Sequence, residues 1–118
     1  YLIYAEAVLR GGTGGDATTA LGYINALRQR AYGNSSGNIS STQLTLDFIL
    51  DERGRELFWE GHRRTDLIRY GLFTTGGYMW AWKGGVASGT AVDSKYNIYP
   101  IPADDLTSNS SLVQNPGY

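Results

Sequence analysis

Asp47-Phe48-Ile49-Leu50-Asp51-Glu52-Arg53-Gly54-Arg55-Glu56-Leu57-Phe58-Trp59-Glu60-Gly61-His62-Arg63-Arg64-Thr65-Asp66-Leu67-Ile68-Arg69 carries just over half of the charged residues of the chain, and it is also rich in large apolar side chains. At 3.6 residues per turn, Leu46, Leu50, Gly54, Leu57 and Gly61 fall on one face of a helix. Phe48 and Trp59 fall on roughly the opposite face, which predicts a helix gripped from two sides. Glycine costs about 1 kcal/mol against alanine inside a helix, so Gly54 and Gly61 are expected where another backbone crosses closely. Arg53, Glu56 and Glu60 border the apolar seam as structural ion pairs, with Arg53 and at least one of Glu56 or Glu60 expected to be buried and paired, because an unpaired buried charge is costly. Asp51 with Arg55, and Glu60 with Arg64, stand at the i,i+4 spacing. The stretch reads as the central strut of a helical domain.

Working outward, Tyr1 to Arg10 reads as a first helix that starts without a cap, as a piece cut from a longer protein would. Gly11-Gly12-Thr13-Gly14-Gly15 ends it. The string Gly12-x-Gly14-x-x-Ala17 matches a loose dinucleotide fingerprint, but that fingerprint needs a preceding strand, and a helix precedes it here. Asp16 is a natural N-cap for a second helix, whose Ala17, Ala20, Leu21, Ile24, Leu27 and Ala31 recur every three or four residues. Gly33 is placed to close it. Two helices with small residues at the crossing form a tetratricopeptide-like hairpin over residues 1–33, which needs stacking neighbours to bury its outer faces.

Residues 34–41 form a polar loop in which Asn34-Ser35-Ser36 and Asn38-Ile39-Ser40 match the sequon pattern by chance, as does Asn109-Ser110-Ser111. Either Ser40 with Gln43, or Thr45, starts the central helix. Residues 41–70 then hold that helix and, after a break at Gly61-His62, a short following helix opened by Thr65 or Asp66. Residues 71–118 lose helical periodicity and form a glycine-rich and aromatic loop with a C-terminal tail. The predicted class is all-α: a tetratricopeptide-like hairpin, a long central helix and a long irregular C-terminal loop region.

The net charge of −1 gives no basic excess for nucleic acid. The absence of cysteine removes disulfide and thiol chemistry, and no apolar run approaches the roughly 20 residues of a membrane span. His62 is the sole histidine, and Glu60-x-His62 lacks the i,i+4 spacing of a helical zinc pair, so neither metal nor cofactor is called for. The carboxylates of Asp51, Glu52, Glu56 and Glu60 invite a glycosidase reading. Arg53, Arg55, Arg63 and Arg64 neutralise them locally, which favours ion pairing over catalysis. Tyr78, Trp80 and Trp82 alternate with Met79, Ala81 and Lys83, so their rings share one side of an extended segment. Such rings stack on sugar faces or anchor a loop. Trp82 is expected as the anchor; Tyr78 and Trp80 are the candidates for ligand contact.

Six ordered blocks carry a resemblance: Tyr1 to Ala7, Ile49 to Leu57, Trp59 to Arg69, Trp82 to Gly85, Tyr99-Pro100-Ile101-Pro102 and Gln114 to Tyr118. Together they resemble the C-terminal portion of SusD/RagB-type proteins of Bacteroidetes, over essentially the whole chain. The resemblance implies a largely helical, non-catalytic lipoprotein, exposed at the surface of the outer membrane. Its partners would be a glycan or other nutrient and a SusC-like TonB-dependent transporter, with membrane association only through a lipid anchor outside these residues. Two rival readings are a purely structural segment that braces the helical core and docks the transporter, and a carbohydrate-active enzyme.

Overall fold

A computed structural model describes residues 1–118. It contains five α-helices and no strand: α1 (Leu2–Leu9), α2 (Ala17–Tyr32), α3 (Leu46–Glu56), α4 (Arg63–Arg69) and α5 (Ala103–Ser108). Short 3-10 turns fill Ser35–Gly37, Ser41–Gln43, Lys83–Gly85 and Ser94–Asn97. The chain divides into two compact units, Tyr1–Arg63 and Arg64–Tyr118.

In the first unit α1 and α2 pack as a hairpin, and α3 closes against α1. Ala5 and Ala20 are both fully buried, so the helices approach closely, and Leu2, Ile24, Ile39, Leu44 and Ile49 complete the core. Local chemistry sets the helix ends. Asp16 Oδ1 accepts from the Thr19 backbone N–H at 2.8 Å and Oδ2 from the Thr19 hydroxyl at 2.7 Å. These bonds hold its carboxyl below the ordinary Asp value of 3.8. Gly33 ends α2 with φ 71°, a left-handed conformation that glycine adopts without strain. Asn25 then brackets Ile39: its Nδ2 donates to the Ile39 carbonyl at 3.1 Å, and its Oδ1 accepts from the Ile39 N–H at 2.8 Å. Both candidate caps of the central helix are used. Ser40 opens the 3-10 turn with Gln43, and the Thr45 hydroxyl accepts from Phe48 N–H to start α3.

The central helix is shorter than its sequence suggests. It ends at Glu56, because Trp59 takes φ 67° and Gly61 φ 76° in the following turn. A non-glycine residue there is strained by about 1–3 kcal/mol. Trp59 is 91% exposed, so on the second face of the helix Phe48 packs against the core and Trp59 does not. The core face is Ile49, Leu50, Glu52 and Arg53 rather than the seam through Gly54 and Gly61. Gly54 does make room, but for a side chain: a Cβ there would lie 3.1 Å from Arg63 Nη1. That guanidinium donates to the Leu50 carbonyl at 2.6 Å. α4 opens at Arg63, ahead of Thr65.

The ion pairs are also redistributed. Arg53 is buried. Glu56 pairs with Arg30 Nη2 through both oxygens, at 2.6 and 2.7 Å. Glu60 lies exposed in the turn, and the buried acid of α3 is Glu52. Its Oε2 receives Arg28 Nη1 at 2.8 Å and Arg55 Nη2 at 2.7 Å. Arg55 thus serves Glu52, while Asp51 faces Arg63 at 3.4 Å. The Arg28 guanidinium lies 5.3 Å from the Tyr32 ring and 5.4 Å from the Phe48 ring, which joins α2 to α3 by charge and by ring face.

Removing one member of a buried pair typically costs about 3–5 kcal/mol. Glu52→Ala should destabilise the whole protein by that order in urea titration, whereas Glu60→Ala should stay within about 0.5 kcal/mol. Equal effects would refute this assignment. At the Asp16 cap, a lowered folded pKa means stabilisation fully present above the ordinary value and lost as pH falls through the lowered one. Exchange of the Thr19 amide, corrected for intrinsic rate, should therefore quicken on acidification, and Asp16→Asn should flatten that dependence.

Candidate functional site

In the second unit one buried ammonium shapes the loop. Lys83 is 2% exposed and donates to the carbonyls of Leu72 at 3.4 Å, Tyr78 at 2.7 Å and Thr75. Three acceptors match the three N–H bonds of the ammonium. The same nitrogen lies 4.7 Å from the centre of the Trp80 ring. Residues 72–78 are therefore folded around a cation that also holds the indole. Gly89, at φ 81°, closes the loop where nothing larger fits: a Cβ would stand 2.5 Å from the Trp80 carbonyl oxygen. Val92 N–H donates to the Thr74 carbonyl at 2.9 Å, and Asn97 Nδ2 to the Thr74 hydroxyl at 3.3 Å, which ties the return segment to the loop.

Trp80 then forms one wall of a cavity of about 460 Å³. Phe73 supports it, with ring centres 6.2 Å apart and planes 23° from parallel. Tyr96, Tyr99 and Tyr118 also line the cavity. The C-terminal tail holds Tyr118 in place: its hydroxyl approaches the carbonyls of Lys95 and Ile98 at 3.2 and 3.0 Å, and Lys95 Nζ donates to the Gly117 carbonyl at 3.0 Å. Gln114 brackets Ile101 through both backbone groups, and Asn115 Nδ2 donates to the Tyr99 carbonyl at 2.7 Å. At the cavity edge Arg64 Nη2 donates to the Tyr96 carbonyl at 2.6 Å. Its guanidinium lies 4.0 Å from the Tyr99 ring and 5.1 Å from the Phe73 ring.

The extended aromatic ladder is absent. Trp82 adopts φ 67°, which turns the chain after Ala81, and its side chain is 69% exposed. It is not the anchor; Lys83 beside it is. Trp80 reaches the cavity and is 38% exposed, while Tyr78 lies half-buried beside it, with ring centres 6.5 Å apart and tilted by 51°. Sequence reasoning missed Arg64, Lys83 and the tyrosines of the tail. One signal was available: Lys83 and Lys95 are the only lysines of the chain, and each stands in a glycine- and tyrosine-rich region. No three His, Cys, Asp or Glu side chains gather to hold a metal ion, and no helix is long and apolar enough to cross a membrane.

The first unit is thus a helical hairpin closed by α3, and the second is a loop unit with an aromatic-walled cavity. The SusD family profile matches residues 1–118, and the chain belongs to that family. It is 48% identical over 118 residues to the starch-binding protein SusD of Bacteroides thetaiotaomicron, covering all of this chain and 20% of that protein. A crystal structure of a SusD superfamily protein from Bacteroides vulgatus superposes with a TM-score of 0.73 at 40% identity, over the whole chain and 26% of that structure. A SusD homologue from Bacteroides thetaiotaomicron gives 0.71 at 34% identity, over 99% of this chain and 25% of that one. The chain thus spans about a fifth to a quarter of the relatives it matches.

Lys83→Met keeps the length of the side chain and removes the ammonium. It should destabilise the protein by about 3 kcal/mol, since three part-buried carbonyls lose their donor at about 1 kcal/mol each, the low end of the cost for a buried group. Trp82→Ala should change stability by no more than about 0.5 kcal/mol, as surface substitutions do. Thermal melts of both variants check the ranking; a larger loss in Trp82→Ala would reverse it.

Proposed function

We propose that this chain is part of a non-catalytic glycan-binding protein of the outer-membrane surface, which passes its ligand to a TonB-dependent transporter. Membership of the SusD family and the identity with a starch-binding relative support the ligand class. The observation that carries the reading to residues is the place of Trp80 in the wall of an aromatic-lined cavity of about 460 Å³. A sugar ring buries its C–H face on an indole without needing a charge there, and cavities of this size with few polar groups suit small ligands. Trp80 is the contact surface and Tyr78 its neighbour. Attachment to the membrane comes through a lipid anchor outside residues 1–118.

A docking role without ligand contact has one observation in its favour. Phe58 and Trp59 are exposed on the strained turn after α3, with ring centres 6.3 Å apart. The two roles are compatible, and the transporter is the partner they would share.

Trp80→Ala in the whole protein should weaken binding of a neutral oligosaccharide by about tenfold or more, or ~1.4 kcal/mol. Isothermal titration measures it, with a thermal melt as the control for folding. Unchanged affinity in a folded variant would remove Trp80 from the binding surface. Incubation with the same oligosaccharide should release no reducing sugar.

A further inference from the structure

The cavity in the second unit has a charge imbalance that a neutral sugar does not answer. Its walls include two cations, Arg64 and Lys83, and no Asp or Glu. The acids of that unit are engaged or elsewhere. Asp66 is buried against Arg69 at 2.7 Å, Asp93 accepts from Lys95 N–H at 2.8 Å, and Asp104 and Asp105 stand in the first turn of α5. The two cations differ in what they still offer. The ammonium of Lys83 has its three carbonyl acceptors. Arg64 has five N–H bonds and spends one side of its fork on the Tyr96 carbonyl. Its ring contacts, Tyr99 and Phe73, engage the π-faces of aromatic groups and consume no N–H. A planar guanidinium fixed in this way is suited to a carboxylate, which it can grip with two parallel hydrogen bonds.

We infer that the cavity takes an acidic glycan, with the carboxylate of a uronate residue on Arg64 and a sugar ring on Trp80. This inference rests on the glycan-binding reading above and names its ligand class. Phe73 stands between the two contacts, 5.1 Å from the guanidinium carbon and 6.2 Å from the Trp80 ring centre, so both lie within the span of a short oligosaccharide. The chemistry separates acidic from neutral ligands: hydroxyls can accept from Arg64, but a carboxylate forms charge-assisted hydrogen bonds with it, which are roughly twice as strong.

The test uses the whole protein and three probes of equal length: tetragalacturonate, its fully methyl-esterified form and maltotetraose. Tetragalacturonate should bind at least about tenfold tighter than the other two at about 50 mM salt, and the gap should narrow at about 0.5 M. Esterification keeps the rings and removes the charge, so the comparison needs no variant. Arg64→Gln should bring the three affinities together, with Arg64→Lys retaining part of the preference. Equal or tighter binding of maltotetraose overturns the acidic ligand while leaving the glycan reading intact. Binding of none of the three overturns both. A preference for tetragalacturonate that survives in a folded Arg64→Gln protein removes Arg64 from the site.

Discussion

The ammonium of Lys83 is the constraint on which the loop unit depends. A loop rich in glycine buries little apolar surface and pays the full entropy of ordering its backbone. A buried cation with three carbonyl partners compensates in a way that rings alone cannot, because it gives three backbone acceptors of the loop one common donor. It also decides which tryptophan does what. The indole of Trp80 lies against the cation and is held, while Trp82, one residue before the lysine, turns outward through a left-handed backbone. The place of Trp80 in the cavity wall is therefore a consequence of how the loop stays folded.

The helical unit solves a different problem with similar means. Ala5 and Ala20 let α1 and α2 come close, but the face of α2 toward α3 holds arginine. Glu52 makes that face tolerable by taking Arg28 and Arg55 on one oxygen, and the rings of Tyr32 and Phe48 cover the guanidinium. Long cationic side chains here do the packing as well as the pairing.

Features written in neighbouring residues were legible in the sequence. The Asp16 cap, the Gly33 stop, the Thr45 start and the small residues of the hairpin each need only a few positions to be read. The all-helical class and the family followed from such blocks taken together. Partners distant in sequence were not legible. Glu52 finds Arg28 at a separation of 24 residues, whereas the i,i+4 rule offered Asp51 to Arg55. The end of α3 was hidden because Leu57, Phe58 and Trp59 continue an apolar pattern that the backbone at Trp59 abandons. In the loop unit, the alternation of Tyr78, Trp80 and Trp82 imitates a strand. Nothing local reports that Lys83 draws the carbonyls of residues 72, 75 and 78 around itself. Tyr99 and Tyr118 stood inside the blocks that marked the family, but their role as cavity walls depends on the tail folding back through Gln114 and Asn115.

The central claim is that a loop folded around Lys83 presents Trp80, rather than the more exposed Trp59 or Trp82, to a glycan. The most direct measurement is fluorotryptophan NMR of the whole protein during titration with oligosaccharide, with each resonance assigned by single substitution. The account predicts that the Trp80 resonance moves in a saturable way while those of Trp59 and Trp82 stay in place. A Trp80 resonance that is unmoved at saturating ligand would contradict it.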